Sequence, residues 1–119
     1  LDAAAPADAP LLANLLELYT HDLSAAFPDV TLGPDGRYGY PHLPRYWAEP
    51  DRRFAYVIRA DGHVAGFALA TRGSPAADDP AVLDVTEFFV LRRYRRAGVG
   101  RRAAALLWRW HPGRWTVRV

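Results

Sequence analysis

The run Arg95-Arg96-Ala97-Gly98-Val99-Gly100, continued by Arg101 and Arg102, joins an apolar strand (Val82 to Leu91) to a helix opening at Gly100. A helix N-terminus carries unpaired amide N–H groups and about half a positive charge, so a turn placed there receives an anion. Gly98 and Gly100 let the backbone approach that anion without a Cβ and tolerate positive φ. Arg95 and Arg96 add full charges. The predicted chemistry is phosphate binding at the carboxyl end of a strand.

The spacing narrows the kind of phosphate site. A P-loop needs a lysine after its second glycine, and this chain contains no lysine. A dinucleotide fingerprint needs a third glycine where Ala103 stands. Arg95 to Gly100 instead matches the Arg/Gln-x-x-Gly-x-Gly/Ala pattern of the GNAT acyltransferases. The resemblance extends upstream through Phe88-Phe89-Val90-Leu91-Arg92-Arg93-Tyr94 and downstream through the helix to Trp115-Thr-Val-Arg-Val119. The tract from Gly36 to Pro50, with Tyr38-Gly39-Tyr40 and Arg45-Tyr46-Trp47-Ala48-Glu49-Pro50, is similar to a group of uncharacterised predicted acetyltransferases in that superfamily.

The resemblance implies a mixed α/β (α+β) GNAT fold with helices on both faces of the sheet, and acetyl-CoA as cosubstrate. It implies that the main chain of Phe89, Val90 and Leu91 pairs with the pantetheine arm. Arg95, Arg96, Ala97, Gly98, Val99 and Gly100 would then hold the pyrophosphate, with Arg101 and Arg102 assisting. A general base, where the family uses one, is often a carboxylate on the strand before the loop; the candidates are Glu87, the preferred one, and Asp84. Three positions apart, they face opposite sides of a regular strand, although a bulge common in the family changes that parity. Such domains continue with a further helix and strand, so a C-terminally truncated fold is expected. That part often supplies a tyrosine general acid.

Composition bounds the alternatives. At 119 residues the chain can bury the core of one domain, taken as residues 1–119. With no cysteine, a disulfide framework, a thiolate metal site and a cysteine-linked acyl-enzyme are excluded. No spacing suggests a metal site, and no apolar run reaches a membrane span, so a cytoplasmic protein is expected. Net charge is +2. After Glu87, however, every charged residue is an arginine, a distribution that attracts polyanions: CoA on one reading, nucleic-acid phosphate on another.

The positioning elements follow from periodicity. Leu11, Leu12, Leu15, Leu16, Leu18 and Tyr19 mark an amphipathic helix after Asp8, its expected N-cap, and it fades from Ser24 to Pro28. Gly33-Pro34-Asp35-Gly36 reads as a turn, and Leu43 to Ala48 as a short helix. Phe54 to Ala60 and Val64 to Thr71 form a hairpin around Asp61-Gly62, a loop covers Gly73 to Pro80, and the Val82 to Leu91 strand follows antiparallel. The second helix is expected to bury Ala103, Leu106, Leu107 and Trp110, and to lead into a parallel strand, Arg114 to Val119, with Trp115, Val117 and Val119 on one face.

His63 and His111 read as surface residues. His21, His42, Tyr38, Tyr40, Tyr46 and Trp47 are candidates for an acceptor wall or for a packed lid. The expectation is an N-acetyltransferase acting by direct ternary-complex transfer on a small-molecule or protein amine. A basic nucleic-acid-binding module and a non-catalytic acyl-CoA-binding domain are the alternatives. A homodimer is compatible with the open final strand.

Overall fold

The computed structural model describes residues 1–73 and 79–117. Five strands form one sheet in the order β1-β2-β3-β4-β5. They are β1 (Asp2–Ala3), β2 (Arg53–Ala60), β3 (His63–Arg72), β4 (Leu83–Val90) and β5 (Trp115–Val117). The first four pair antiparallel, and β5 lies parallel to β4. The helices are α1 (Ala9–Ser24), a single turn α2 (Arg45–Ala48) and α3 (Val99–Trp110).

Alternation along the strands divides the core between two faces. Leu12, Leu15 and Leu16 of α1 bury against Val57, Phe67, Leu69 and Phe89. On the opposite face Leu107 of α3 packs with Tyr56, Ala68 and Val85. Covered on both sides, β3 is buried without interruption from Ala65 to Ala70. Asp61 and Gly62 both take positive φ, the conformation whose twist matches a two-residue hairpin. A β4–α3–β5 crossover accounts for the parallel pairing of β5.

Several expectations need correction. Trp110 is 43% exposed, because Ala103 and Leu107 already fill the inward stripe of α3. Leu106 is half-buried. Asp8 is the N-cap residue of α1, as expected, but its carboxylate makes no cap hydrogen bond there and instead accepts from the Ala5 N–H at 2.8 Å, closing the 3-10 turn Pro6–Asp8. His111 is half-buried and sits among aromatic rings, with Phe54 4.4 Å away and a hydrogen bond to the Tyr56 hydroxyl. Burial, then the nearby Arg72, pushes its pKa below the usual histidine value. The edge strand β1 carries no sequence signal. The loop expected from Gly73 to Pro80 lies partly, and Val119 wholly, outside the described residues.

Candidate active site

The turn between β4 and α3 has a definite geometry. A 3-10 turn (Arg92–Tyr94) leads into Arg95 in extended conformation, then Arg96 at φ +66° and Gly98 at φ +79°. Two left-handed residues turn the chain so that α3 starts at Val99, with Gly98 as its N-cap. Beside this N-terminus lies a cavity of about 280 Å³ lined by Val90, Arg95, Arg96, Gly98, Gly100 and Arg101. Of the loop residues singled out by their spacing, Arg95, Arg96, Gly98, Gly100 and Arg101 line this basic hollow, whereas Ala97, Val99 and Arg102 line a separate one beside Ile58 and Leu106.

The two glycines do different jobs. Only Gly98 needs the left-handed region. A Cβ on Gly100 would meet Val90 Cγ2 at 3.5 Å and Phe88 Cε1 at 3.7 Å, ordinary contact distances, so Gly100 is not required by backbone conformation. Arg95 lines the hollow, but its guanidinium is engaged: Nε donates to the Val90 carbonyl at 2.7 Å and Nη2 to Asp22 Oδ2 at 2.7 Å. Arg102 reaches back toward Gly98, where a Cβ would lie 3.1 Å from its Nη1.

The strand before the loop has one open edge. Pairing between β4 and β5 covers Leu83, Asp84 and Val85, and no partner follows on that side among the described residues. The Leu91 N–H donates to the Ala65 carbonyl at 2.7 Å, and Phe89 is paired with Phe67, so their main-chain groups are directed to β3. Alternation points the Phe88 and Val90 main chain toward the open edge.

The carboxylates occupy one face. In the β3–β4 ladder Leu69 opposes Glu87 while Ala70 opposes Val85, which leaves Thr86 as an inserted residue. Asp84 pairs with Thr71 and Glu87 with Leu69, both on the α1 side of the sheet. The opposite orientation expected of a regular strand is therefore replaced by a common one. Asp84 is fully buried and accepts from the Thr116 hydroxyl at 2.7 Å and the Thr86 hydroxyl at 3.3 Å. Glu87 is half-buried.

Three tyrosines surround Glu87. Burial, reinforced by the negative charge of Glu87, pushes the Tyr19 phenol up to about 12. Burial raises Tyr40 as well, with Tyr46 and then Glu87 adding to the effect. The Tyr46 hydroxyl is buried beside Thr86 and Tyr40, and burial raises its pKa too. Tyr40 is delivered by a loop docked on α1: Glu17 accepts from the Tyr38 N–H at 2.8 Å and the Gly39 N–H at 2.9 Å. His21 Nδ1 meets the Tyr38 hydroxyl at 3.2 Å, and His42 packs edge-on to the Tyr40 ring, so both histidines support this loop. Glu17 escaped the sequence reading, and Tyr19 enters it only as part of the apolar face of the first helix. Their helical spacing marks only an amphipathic face, and nothing in it shows what the polar side holds.

Among the described residues no group of three metal-ligating side chains is present, and no helix is long and apolar enough to cross a membrane.

Comparison with known proteins gives the arrangement a family. A mutant of the BH1408 protein from Bacillus halodurans superposes with a TM-score of 0.74 at 11% identity, over 98% of this chain and 80% of that one. AAC(6')-Iy in complex with the bisubstrate analog CoA-S-monomethyl-acetylneamine gives 0.69 at 18% identity, over 98% and 76% of the two chains. The aminoglycoside acetyltransferase meta-AAC0020, from an uncultured soil metagenomic sample and in complex with sisomicin, gives 0.68 at 15%, over 99% and 75%. These likenesses establish a shared fold. No curated protein sequence matches the chain. The model of the acetyltransferase (GNAT) family matches residues 13–117, nearly the whole chain, and the protein therefore belongs to that family.

Proposed function

We propose that this protein is an acetyl-CoA-dependent N-acetyltransferase that transfers the acetyl group directly to a small-molecule primary amine. The observation that carries the reading is the left-handed Arg96–Gly98 turn, which aims the N-terminus of α3 into a basic hollow beside the open edge of β4. Oriented amides and fixed positive charge suit a pyrophosphate. The Phe88 main chain and the Val90 N–H suit an extended amide-bearing arm, flanked by Phe89 and Leu91, while the Val90 carbonyl is held by Arg95. Acetyl-CoA supplies the activated acetyl group.

The chain's own part is to bind, orient and move one proton. Arg96, Arg101 and the amides from Gly98 onward hold the anion, and Ala97 and Val99 shape the turn. Glu87 receives the proton that the acceptor ammonium must lose before its nitrogen can attack. The surrounding tyrosines keep their protons at neutral pH and leave Glu87 as the acceptor-side charge. Holding both substrates in register supplies the larger part of the rate, as expected where no covalent enzyme intermediate forms. Without cysteine, transfer in one ternary complex is the simpler route.

An amine acceptor of small size is supported by the aminoglycoside complexes among the structural neighbours. We place the reaction in the cytoplasm, where an acetyl-CoA supply is general. Thermal unfolding with acetyl-CoA, using ATP as the anionic control, tests the reading. Ligand at a hundred times its dissociation constant adds about 2.7 kcal/mol, several degrees for a domain of this size. A shift with acetyl-CoA alone supports it. Equal shifts with ATP or an oligonucleotide reduce the hollow to a generic anion site.

A further inference from the structure

Arg92, Arg93, Arg95 and Arg96 crowd the turn at residues 92–96, a like-charge density that loosens a loop unless it is offset. The offset comes from the other side of the sheet edge. Asp22, near the C-terminal end of α1, accepts from Arg95 Nη2 at 2.7 Å through Oδ2 and from Arg92 Nη2 at 3.1 Å through Oδ1. Arg95 in turn donates through Nε to the Val90 carbonyl, and its guanidinium lies 5.5 Å from the centre of the Phe89 ring. One side chain thus ties the turn to β4 and to α1.

A guanidinium with Nε on a carbonyl, Nη2 on a carboxylate and one face toward a ring has little freedom to follow a phosphate. Arg96 and Arg101 line the same hollow and make no ion pair among the described residues. We infer that Asp22 and Arg95 are a positioning pair for the cofactor: they hold the turn so that the α3 amides face the anion, while Arg96 and Arg101 contact it. The inference rests on the acetyl-CoA reading for its ligand, though not for the anchoring itself. The depressed pKa of Asp22, caused first by its hydrogen bond from Arg95, agrees with a persistent pair.

The test compares D22N, R95Q, the double variant and R96Q in the full chain, with two readouts. Amide hydrogen exchange without ligand should quicken across residues 91–98 in D22N and R95Q, and not in R96Q. Titration with acetyl-CoA at several salt concentrations should show about a tenfold weaker dissociation constant for D22N and for R95Q. The double variant should be no worse than either single one, as for residues acting as a unit. Salt dependence should be retained in R95Q and flattened in R96Q, which loses a direct ionic contact. D22E should recover part of the affinity.

Unchanged exchange in D22N would overturn the inference. So would an R95Q variant whose salt dependence flattens like that of R96Q, since Arg95 would then be a phosphate ligand. A wild-type protein that binds no acetyl-CoA would sink the proposed function, and the exchange experiment would still judge the anchoring.

Discussion

Asp84 and Glu87 lie on the same face of the sheet although they are three positions apart, because Thr86 is inserted into β4 without a register partner in the β3 ladder. Bulges of this kind re-aim side chains where a site needs them. Here the bulge gives the two carboxylates different surroundings. Asp84 is sealed at the β4–β5 junction between Thr86 and Thr116. Glu87 faces Tyr19 and the docked loop that carries Tyr40.

That division predicts different phenotypes. Glu87→Gln should lower kcat by roughly 10²- to 10⁴-fold, the range for removal of a general base, with acetyl-CoA affinity unchanged. Asp84→Asn should act mainly on stability, by about 1–3 kcal/mol, through the buried hydrogen bonds it disturbs. Steady-state kinetics with an amine acceptor, beside denaturant unfolding, separates the two. Full turnover by the Gln variant across the pH range would remove Glu87 from the mechanism.

Three glycines should respond in three ways to alanine. Gly66→Ala places a Cβ 1.9 Å from the Phe89 carbonyl oxygen, so β4 must shift and the protein should be strongly destabilised. Gly98→Ala meets only the flexible end of Arg102, 3.1 Å away, but takes on the strain of left-handed φ, about 1–2 kcal/mol. Gly100→Ala should be neutral or stabilising by up to about 1 kcal/mol, as for an unstrained helical glycine. Urea unfolding of the set would check the order.

Alkaline titration should reveal the tyrosine cluster. Tyr19 has a folded-state value of about 12 against an ordinary 10.0, so the native state binds its proton more tightly than the unfolded chain does. The stability this contributes is complete below the unfolded value and is lost as pH climbs from there through the folded one. Ultraviolet difference titration should show Tyr19 ionising late. Because the Glu87 charge contributes to the shift, Glu87→Gln should bring that midpoint down.

At the acid end the sign reverses. Asp22 is held below its ordinary 3.8, so its contribution is present above the unfolded value and disappears as pH falls through the lower folded one. Hydrogen exchange in the 91–98 turn should accelerate over that acid window in the wild type. The Asp22→Asn variant should lack that acid step.

Much of the architecture was legible in the chain. The leucine spacing from Leu11 to Leu16 locates α1, Asp61-Gly62 locates the hairpin, and the glycine-spaced arginine turn locates the basic hollow. These are local signals, each set by backbone preference or by periodicity over a few residues. Trp110 misled because a large apolar side chain at helical spacing looks inward until shorter neighbours have filled the stripe. His111 misled in the other direction, since its ring partners Phe54 and Tyr56 come from a strand more than fifty positions away, and only Trp115 is a near neighbour in sequence.

The sequence by itself determined that an apolar strand runs into a basic, glycine-bearing helix start, and so where the proposed anion site has to be sought. Only the tertiary structure decided how the charges are shared. Whether Arg95 meets a phosphate or Asp22 depends on where α1 ends relative to β4, a contact across some seventy positions of sequence. Whether Glu87 and Asp84 share a face depends on one register shift against β3. Side-chain partners of this kind are set by long-range packing, which no local pattern encodes.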